Sequence, residues 1–88
     1  MKVSFKNITY YPTLDGKEPK TEDLSGIIAE AVYQNASNFA EHKLAHRIAD
    51  SKDLELTPQE ASAVKRAISG FRFFVQKPIL ERLGEKFD

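Results

Sequence analysis

Cysteine is absent from this 88-residue chain, and its absence excludes disulfides, zinc–thiolate sites and thiol nucleophiles. A small domain without disulfides is more typical of a reducing compartment than of a secreted scaffold. The chain has no apolar run near the roughly 18 residues that cross a bilayer, and residues 1–6 lack the long apolar segment of a signal peptide. We therefore expect a cytoplasmic protein that does not bind membranes.

Glycine is scarce as well, because the four glycines lie at positions 16, 26, 70 and 84 and form no phosphate-binding loop. No serine lies in a Gly-x-Ser-x-Gly motif, the usual setting of one class of hydrolase nucleophile. The carboxylates of Asp50, Asp53 and Glu55 lack the central glycine of a calcium loop. We therefore expect a non-enzymatic protein without a cofactor or a metal ion.

Two histidines, His42 and His46, lie four residues apart in a predicted helix, and Asp50 follows four residues later. A histidine pair at this spacing on a helix can hold a metal ion. Lys43, however, stands where zinc hydrolases of that pattern carry a glutamate, and a third ligand would have to be Asp50 or come from another segment. We interpret these residues as a solvated helix face.

Acidic and basic residues balance, with 13 of each, so the formal net charge at pH 7 is zero. A neutral protein is a poor candidate for general, charge-driven binding to nucleic acid or membranes. The charge is nevertheless segregated, because residues 61–80 contain no carboxylate but contain Lys65, Arg66, Arg72 and Lys77. Segregated charge on one element can face a partner.

Size and composition predict one small domain spanning residues 1–88. Apolar residues make up 41% of the chain, including six phenylalanines and three tyrosines. Such a core is thin, so we expect self-association or a partner to bury part of the apolar surface. The predicted fold class is α+β, with an N-terminal β-strand or hairpin in residues 1–20 and a bundle of three to four helices in residues 21–88.

The N-terminal region has the pattern of a strand followed by a turn. Apolar and polar residues alternate within residues 2–11, which predicts a strand. The alternation shifts by one residue between Phe5 and Ile8, which predicts a bulge or two differently packed halves. The Asp15-Gly16 dipeptide is a turn signal, and a second strand near 17–20 is expected to be short, at an edge or absent because it contains a proline.

Helical periodicity follows in three segments, at about 22–36, 39–50 and 58–76. The third segment keeps its phase through Gly70, which predicts one helix as far as about residue 76. Pro78 is expected either to end this helix or to begin a last short helix that reaches Leu83.

The third helix has the strongest local start signal in the chain. Thr57 suits the N-cap, Pro58 suits the first helical position, and Glu60 completes a capping box. Gly84 suits the residue that follows the last helix. If all periodicities converge, the core consists of Phe5, Ile8, Leu24, Ile28, Ala31, Leu44, Ile48, Leu56, Val64, Ile68 and Phe71.

The basic stretch supplies the candidate partner surface. If the third helix is continuous, its cations lie on one side with Phe73 among them. An aromatic ring among Arg and Lys side chains can contact a nucleic acid or a protein hot spot. A break at Gly70 would instead turn Phe73 into the core. The predicted partner-binding residues are Lys65, Arg66, Arg72, Phe73 and Lys77.

Four segments follow one another in a recognisable order. They are Asp15-Gly16 after the first strand, Ala31 to Ala36 at the end of a helix, Leu44 to Ile48 in a short helix, and Leu56 to Ile68 at the start of the basic helix. In this order, which covers most of the chain, the protein resembles a loose group of small proteins encoded by phages and prophages. The resemblance implies a mobile-element origin and a binding or assembly role, and it carries over no catalytic residue.

The favoured hypothesis is a non-enzymatic protein–protein interaction module, either a phage-type assembly protein or a host-directed inhibitory factor, whose partner presents an acidic surface. The alternative is a DNA-binding regulator in which the second and third helices act as a helix-turn-helix. Two features count against this alternative: the connection of about six residues is longer than the usual tight turn, and the net charge is zero.

Overall fold

The structure, a computed structural model, describes residues 1–50 and 53–87 and confirms the predicted α+β class. Its elements, in chain order, are β1 (Lys2–Val3), β2 (Ile8–Tyr10), β3 (Lys20–Glu22), α1 (Ser25–Asn35), α2 (Phe39–Asp50), β4 (Leu54–Glu55), α3 (Pro58–Ala67) and, after a 3₁₀ turn at Ile68–Gly70, α4 (Phe73–Arg82). None of the helices in these residues is long and apolar enough to cross a membrane.

The strands form two separate antiparallel pairs rather than one sheet. β1 pairs with β4, where Val3 lies opposite Leu54, and β2 pairs with β3, where Thr9 lies opposite Thr21. The shift of alternation within residues 2–11 therefore marks two differently packed halves. The second strand of the hairpin is short, as predicted, but it lies at Lys20–Glu22 instead of near 17–20 and so extends past the predicted end of the hairpin at residue 20. The sequence pattern does not predict β4, because two residues are too few to show a periodicity.

The hairpin turn uses the predicted Asp15-Gly16 dipeptide. Gly16 has a φ of 66°, a left-handed conformation that favours glycine, and its N–H donates to the Thr13 carbonyl (3.1 Å). The Asp15 carboxylate accepts hydrogen bonds from the Lys17 N–H (3.0 Å) and the Thr13 hydroxyl (2.8 Å), and both bonds lower the pKa of Asp15. Local contacts therefore fix the turn.

Side chains also fix the starts of the first two helices. At α1, the Asp23 carboxylate accepts from the Ser25 N–H (2.9 Å), so the helix begins three residues later than predicted. At α2, the Asn38 side chain accepts from the Glu41 N–H (2.9 Å), and Glu41 in turn accepts from the Ser37 N–H (2.9 Å). These contacts satisfy N–H groups that have no partner within the helix.

Two predicted helix boundaries are confirmed. The Thr57 hydroxyl accepts from the Glu60 N–H (3.1 Å) and the Glu60 carboxylate accepts from the Thr57 N–H (2.9 Å), with Pro58 in the first turn of α3. After α4, Gly84 has a φ of 95°, and its N–H donates to the Glu81 carbonyl (3.1 Å). Neighbouring residues decide both boundaries, which is why the sequence pattern finds them.

The predicted extent of the third helix is wrong. α3 ends at Ala67, the 3₁₀ turn Ile68–Gly70 follows, and Pro78 lies inside α4 instead of at a helix boundary. Glycine is a poor helix former, so Gly70 weakens a continuous helix at this point. The break redirects the chain, and Ile79 of α4 becomes fully buried.

One hydrophobic core joins the helices and both strand pairs. Every residue of the predicted core is buried except Ala31 and Phe71, which are partly buried and pack against it. The end of the chain adds three buried side chains that the sequence pattern does not include, because it places a helix boundary at Pro78. They are Ile79, Leu80 and Leu83.

Two ion pairs connect α2 to α3. Arg66 donates to the Glu41 carboxylate (2.6 Å), and Arg47 donates to the Glu60 carboxylate (2.5 Å). The Arg66 guanidinium, together with the Ser37 N–H, lowers the pKa of Glu41 from 4.5 to about 2. The ionised form of Glu41 is therefore the form that stabilises the folded state.

We expect the stability that Glu41 supplies to be lost on acidification. Because the pKa of Glu41 is lower in the folded state, its contribution is complete above about pH 5, where the unfolded carboxyl group is also ionised. The contribution then disappears as the pH falls towards about 2. The thermal midpoint of the wild type should therefore fall more steeply over this range than that of Glu41→Gln. Glu18→Gln, at an exposed glutamate, should follow the wild type, whereas equal slopes for wild type and Glu41→Gln would contradict the prediction.

Replacing Thr57 with alanine should lower the free energy of unfolding by about 1 kcal/mol, because the Glu60 N–H loses its acceptor. Thr57→Ser keeps the hydroxyl and should stay close to the wild type. Denaturant unfolding measures both variants. Equal losses for the two variants would show that the hydroxyl does not cap α3.

Ile68 lies fully buried where α3 gives way to the 3₁₀ turn. Ile68→Ala should lower the free energy of unfolding by roughly 2–5 kcal/mol, and Ile68→Val by about 0.5–1.5 kcal/mol, because the larger truncation leaves a larger cavity. Denaturant unfolding distinguishes the two. An alanine variant no less stable than the valine variant would mean that the site collapses freely around the missing atoms.

Candidate partner-binding surface

The side chain of Gln76 connects α4 to the turn that precedes it. Its side-chain amide donates to the carbonyls of Ser69 (3.2 Å) and Phe71 (2.6 Å). Both carbonyls lie in the break between α3 and α4, where the regular helical donors are missing. Phe71 itself is extended, with φ −73° and ψ 157°. The break between α3 and α4 is therefore stabilised by hydrogen bonds, and α4 begins at Phe73 directly after it.

Arg82 fixes the other end of α4. Its guanidinium donates to the carbonyls of Ser4 (2.8 Å) and Asn7 (2.6 Å), in the segment that joins β1 to β2. Between the two ends, Ile79 and Leu80 are buried in the core. With this face of α4 directed inward, the face that carries Phe73, Phe74 and Lys77 is exposed to solvent.

Each exposed phenylalanine of α4 packs against a ring from another part of the chain. Phe74 stacks on Tyr10 of β2, with ring centroids 6.0 Å apart and an interplanar angle of 30°. Phe73 meets Phe87 edge to face, at 5.8 Å and 86°. Phe73 is 57% exposed, and Phe74 and Phe87 are each 37% exposed. These contacts order the rings and still leave much of their area open to solvent.

Two of the predicted cations take part in ion pairs within the fold. The Lys65 ammonium lies 3.2 Å from the Glu85 carboxylate, and the Arg66 guanidinium lies 2.6 Å from the Glu41 carboxylate. Both contacts connect α3 to other parts of the chain. Lys65 and Arg66 are therefore already partnered within the fold.

The other two predicted cations, Arg72 and Lys77, form no ion pair with any residue in 1–50 or 53–87. Arg72 is exposed and directly precedes α4, whereas Lys77 lies four residues after Phe73, a spacing that places the side chains of Phe73 and Lys77 on one helix face. Glu81 lies one turn further, so the face is not uniformly basic. We use the name aromatic–basic surface for the set Tyr10, Arg72, Phe73, Phe74, Lys77 and Phe87.

Three members of this surface are not among the predicted site residues. Tyr10 and Phe87 come from near the two ends of the chain, and no local pattern places them beside α4. The apolar periodicity of a continuous third helix would place Phe74 on the same side as Val64 and Ile68, whereas the break at Ile68–Gly70 leaves Phe74 37% exposed. The alternative expectation, that a break would turn Phe73 into the core, is also wrong because Phe73 is exposed.

A polar cluster at the start of α1 contains residue types that also occur in catalytic sites, namely Lys6, Asp23 and Ser25. The Ser25 hydroxyl donates to the Asp23 carboxylate (2.5 Å) and accepts from the Lys6 ammonium (3.3 Å). The Ser25 hydroxyl is also the main cause of the lowered pKa of Asp23. Ser25 is only 4% exposed, whereas a nucleophile has to reach its substrate. The cluster therefore supplies no candidate active site.

The connection between α2 and α3 differs from that of a helix-turn-helix. It spans residues 51–57, of which 51 and 52 lie outside the described residues, and it contains β4, which pairs with β1. A helix-turn-helix uses a turn of about three to four residues. Arg66 on the exposed side of α3 is also bound to Glu41. These features do not favour α3 as a recognition helix.

Comparisons with known proteins identify no relative of this chain. No protein-family model matches it, no curated protein matches it, and no solved structure matches it. The resemblance to small phage-encoded proteins therefore stays a hypothesis.

Proposed function

We propose that this chain is a protein-binding module that contacts an acidic partner through its aromatic–basic surface. The observation that carries the proposal is the combination of exposed, ordered aromatic rings with Arg72 and Lys77, which find no carboxylate within hydrogen-bonding range in the described parts of the chain. The proposal assigns no catalysis to the chain and places it in the cytoplasm, consistent with the lack of cysteine.

The aromatic rings favour a binding role because they offer contact area at a small cost in conformational entropy. Phe73 is held by Phe87, and Phe74 is held by Tyr10. A ring that is already ordered loses little freedom when a partner covers it. Aromatic residues are enriched where protein interfaces gain most of their binding energy.

The charges favour a protein partner over a nucleic acid. Arg72 can bind a carboxylate with two parallel hydrogen bonds, and Lys77 adds a compact positive charge. Glu81, one turn beyond Lys77, would repel a continuous phosphate backbone but suits a partner with a mixed polar rim. The resemblance to small phage-encoded proteins supports an assembly or host-directed role for such binding.

Charge reversal tests the proposal. The tagged wild type and the double variant Arg72→Glu, Lys77→Glu are used to capture proteins from lysate of cells that carry the gene, with nuclease present. We expect one or more proteins that bind the wild type to be lost with the double variant, because its two new carboxylates repel an acidic surface. Arg66 is left unchanged because its reversal would break the ion pair with Glu41.

The matched control is Lys17→Glu, Gln59→Glu, Ser62→Glu, which gives the same change of net charge at exposed positions outside both proposed sites. This control should capture what the wild type captures, and circular dichroism should show the same helix content for all three proteins. Equal capture by wild type and Arg72→Glu, Lys77→Glu would refute the proposal. Salt-dependent binding of duplex DNA that the double variant loses would instead support a nucleic-acid partner.

A further inference from the structure

An aromatic cluster holds the two histidines of α2 in a defined arrangement. Tyr33 of α1 lies 5.1 Å from His42 and 6.1 Å from His46, measured between ring centroids, and Phe39 stacks on His42 at 6.2 Å with an interplanar angle of 16°. The two imidazole rings themselves lie 5.0 Å apart. The pair is therefore packed against aromatic rings on a helix face that remains open to solvent, because His42 is partly exposed and His46 is exposed.

The imidazole nitrogens are available to a ligand. Neither imidazole ring forms a hydrogen bond or an ion pair with the residues that the structure describes, although the backbone N–H of His42 donates to the Asn38 carbonyl (3.2 Å). The ammonium group of Lys43, between them in sequence, lies over the Phe39 ring at 5.1 Å from its centroid. Lys43 and Phe39 therefore form a cation–π contact. His46 is exposed and also lines a groove of about 340 Å³ between α1 and α2.

We infer that His42 and His46 together bind one borderline divalent cation, such as Cu²⁺, Ni²⁺ or Zn²⁺. Neutral imidazole is a preferred ligand of these ions, whereas Mg²⁺ and Ca²⁺ prefer oxygen. The spacing of four residues places both rings on one face of α2, and their 5.0 Å separation lets one ion approach a nitrogen of each. Within the described residues no group of three or more metal-ligating side chains lies together, so water fills the remaining coordination positions.

This site is independent of the proposed partner surface. The histidine pair lies on α2 beside α1, whereas the aromatic–basic surface lies on α4, β2 and the end of the chain. The histidine site would stand if the partner surface failed its test, and the reverse also holds. The aromatic packing has a direct consequence for affinity, because rings that are already ordered lose less freedom when they coordinate an ion.

The inference is tested by titrating the full chain with Ni²⁺, Zn²⁺ and Cu²⁺ separately, with isothermal titration calorimetry in a buffer that does not coordinate metals. We expect one ion per chain. His46→Ala should weaken metal binding by more than about 10-fold. Loss of a residue that only supports a metal ligand already weakens binding by about this factor, and loss of a ligand itself should weaken it more. His46 is exposed, so this variant should keep the fold, and circular dichroism checks it. His42→Ala should weaken binding to a similar extent.

The matched control keeps two histidines but changes their spacing. In Lys43→His, His46→Ala the rings are adjacent in sequence and point about 100° apart on the helix, so one ion cannot bind both. This control should bind as weakly as His46→Ala, and electron paramagnetic resonance of the Cu²⁺ complex should show coupling to two imidazole nitrogens in the wild type alone. No binding to the wild type, or equally tight binding to the control, would overturn the inference.

Discussion

The hydrogen bonds that Gln76 donates to the Ser69 and Phe71 carbonyls hold together the turn on which the arrangement of this protein depends. A break between two helices leaves carbonyl groups without helical donors. The Gln76 side chain supplies donors to two of these carbonyls, and burial of Ile79 and Leu80 orients α4 against the core. Ile79 then reaches the core, and Arg82 meets the segment between β1 and β2. The exposed position of the aromatic–basic surface follows from this geometry.

The local parts of the fold could be predicted from the sequence because neighbouring residues decide them. Thr57 and Glu60 satisfy each other across three residues, and Gly84 adopts a backbone conformation that few other residues tolerate. The extent of the third helix could not be predicted in this way. Its apolar periodicity continues across Gly70. Periodicity indicates which residues are buried, but it does not show whether those residues belong to one continuous helix or to two helices with different axes. Packing of α4 against the core decided the break.

The same distinction between local and spatial information applies to the candidate partner-binding surface. A carboxylate-free stretch is a property of the sequence order, whereas the pairing of a cation depends on what lies near it in space. Glu41 of α2 and Glu85 near the chain end come to Arg66 and Lys65 from outside that stretch. Arg72 and Lys77 lie beyond the break, and no carboxylate in the described residues pairs with them. Partner binding by any of the five predicted residues therefore stays a prediction, and the structure adds only that Lys65 and Arg66 are paired within the fold.

The two proposed sites place different demands on α2 and α4. On α2, Glu41 holds α3 through Arg66, while the neighbouring His42 faces Tyr33 and Phe39 on another side of the helix. Successive residues of a helix point about 100° apart, so one element can serve the fold with one side chain and a ligand with the next. On α4, by contrast, the burial of Ile79 and the bonds of Arg82 leave only one face for a partner. The proposed contacts at Phe73 and those at His42 therefore involve different helices, and the two proposed sites share no residue with each other or with the Glu41–Arg66 pair that connects α2 to α3.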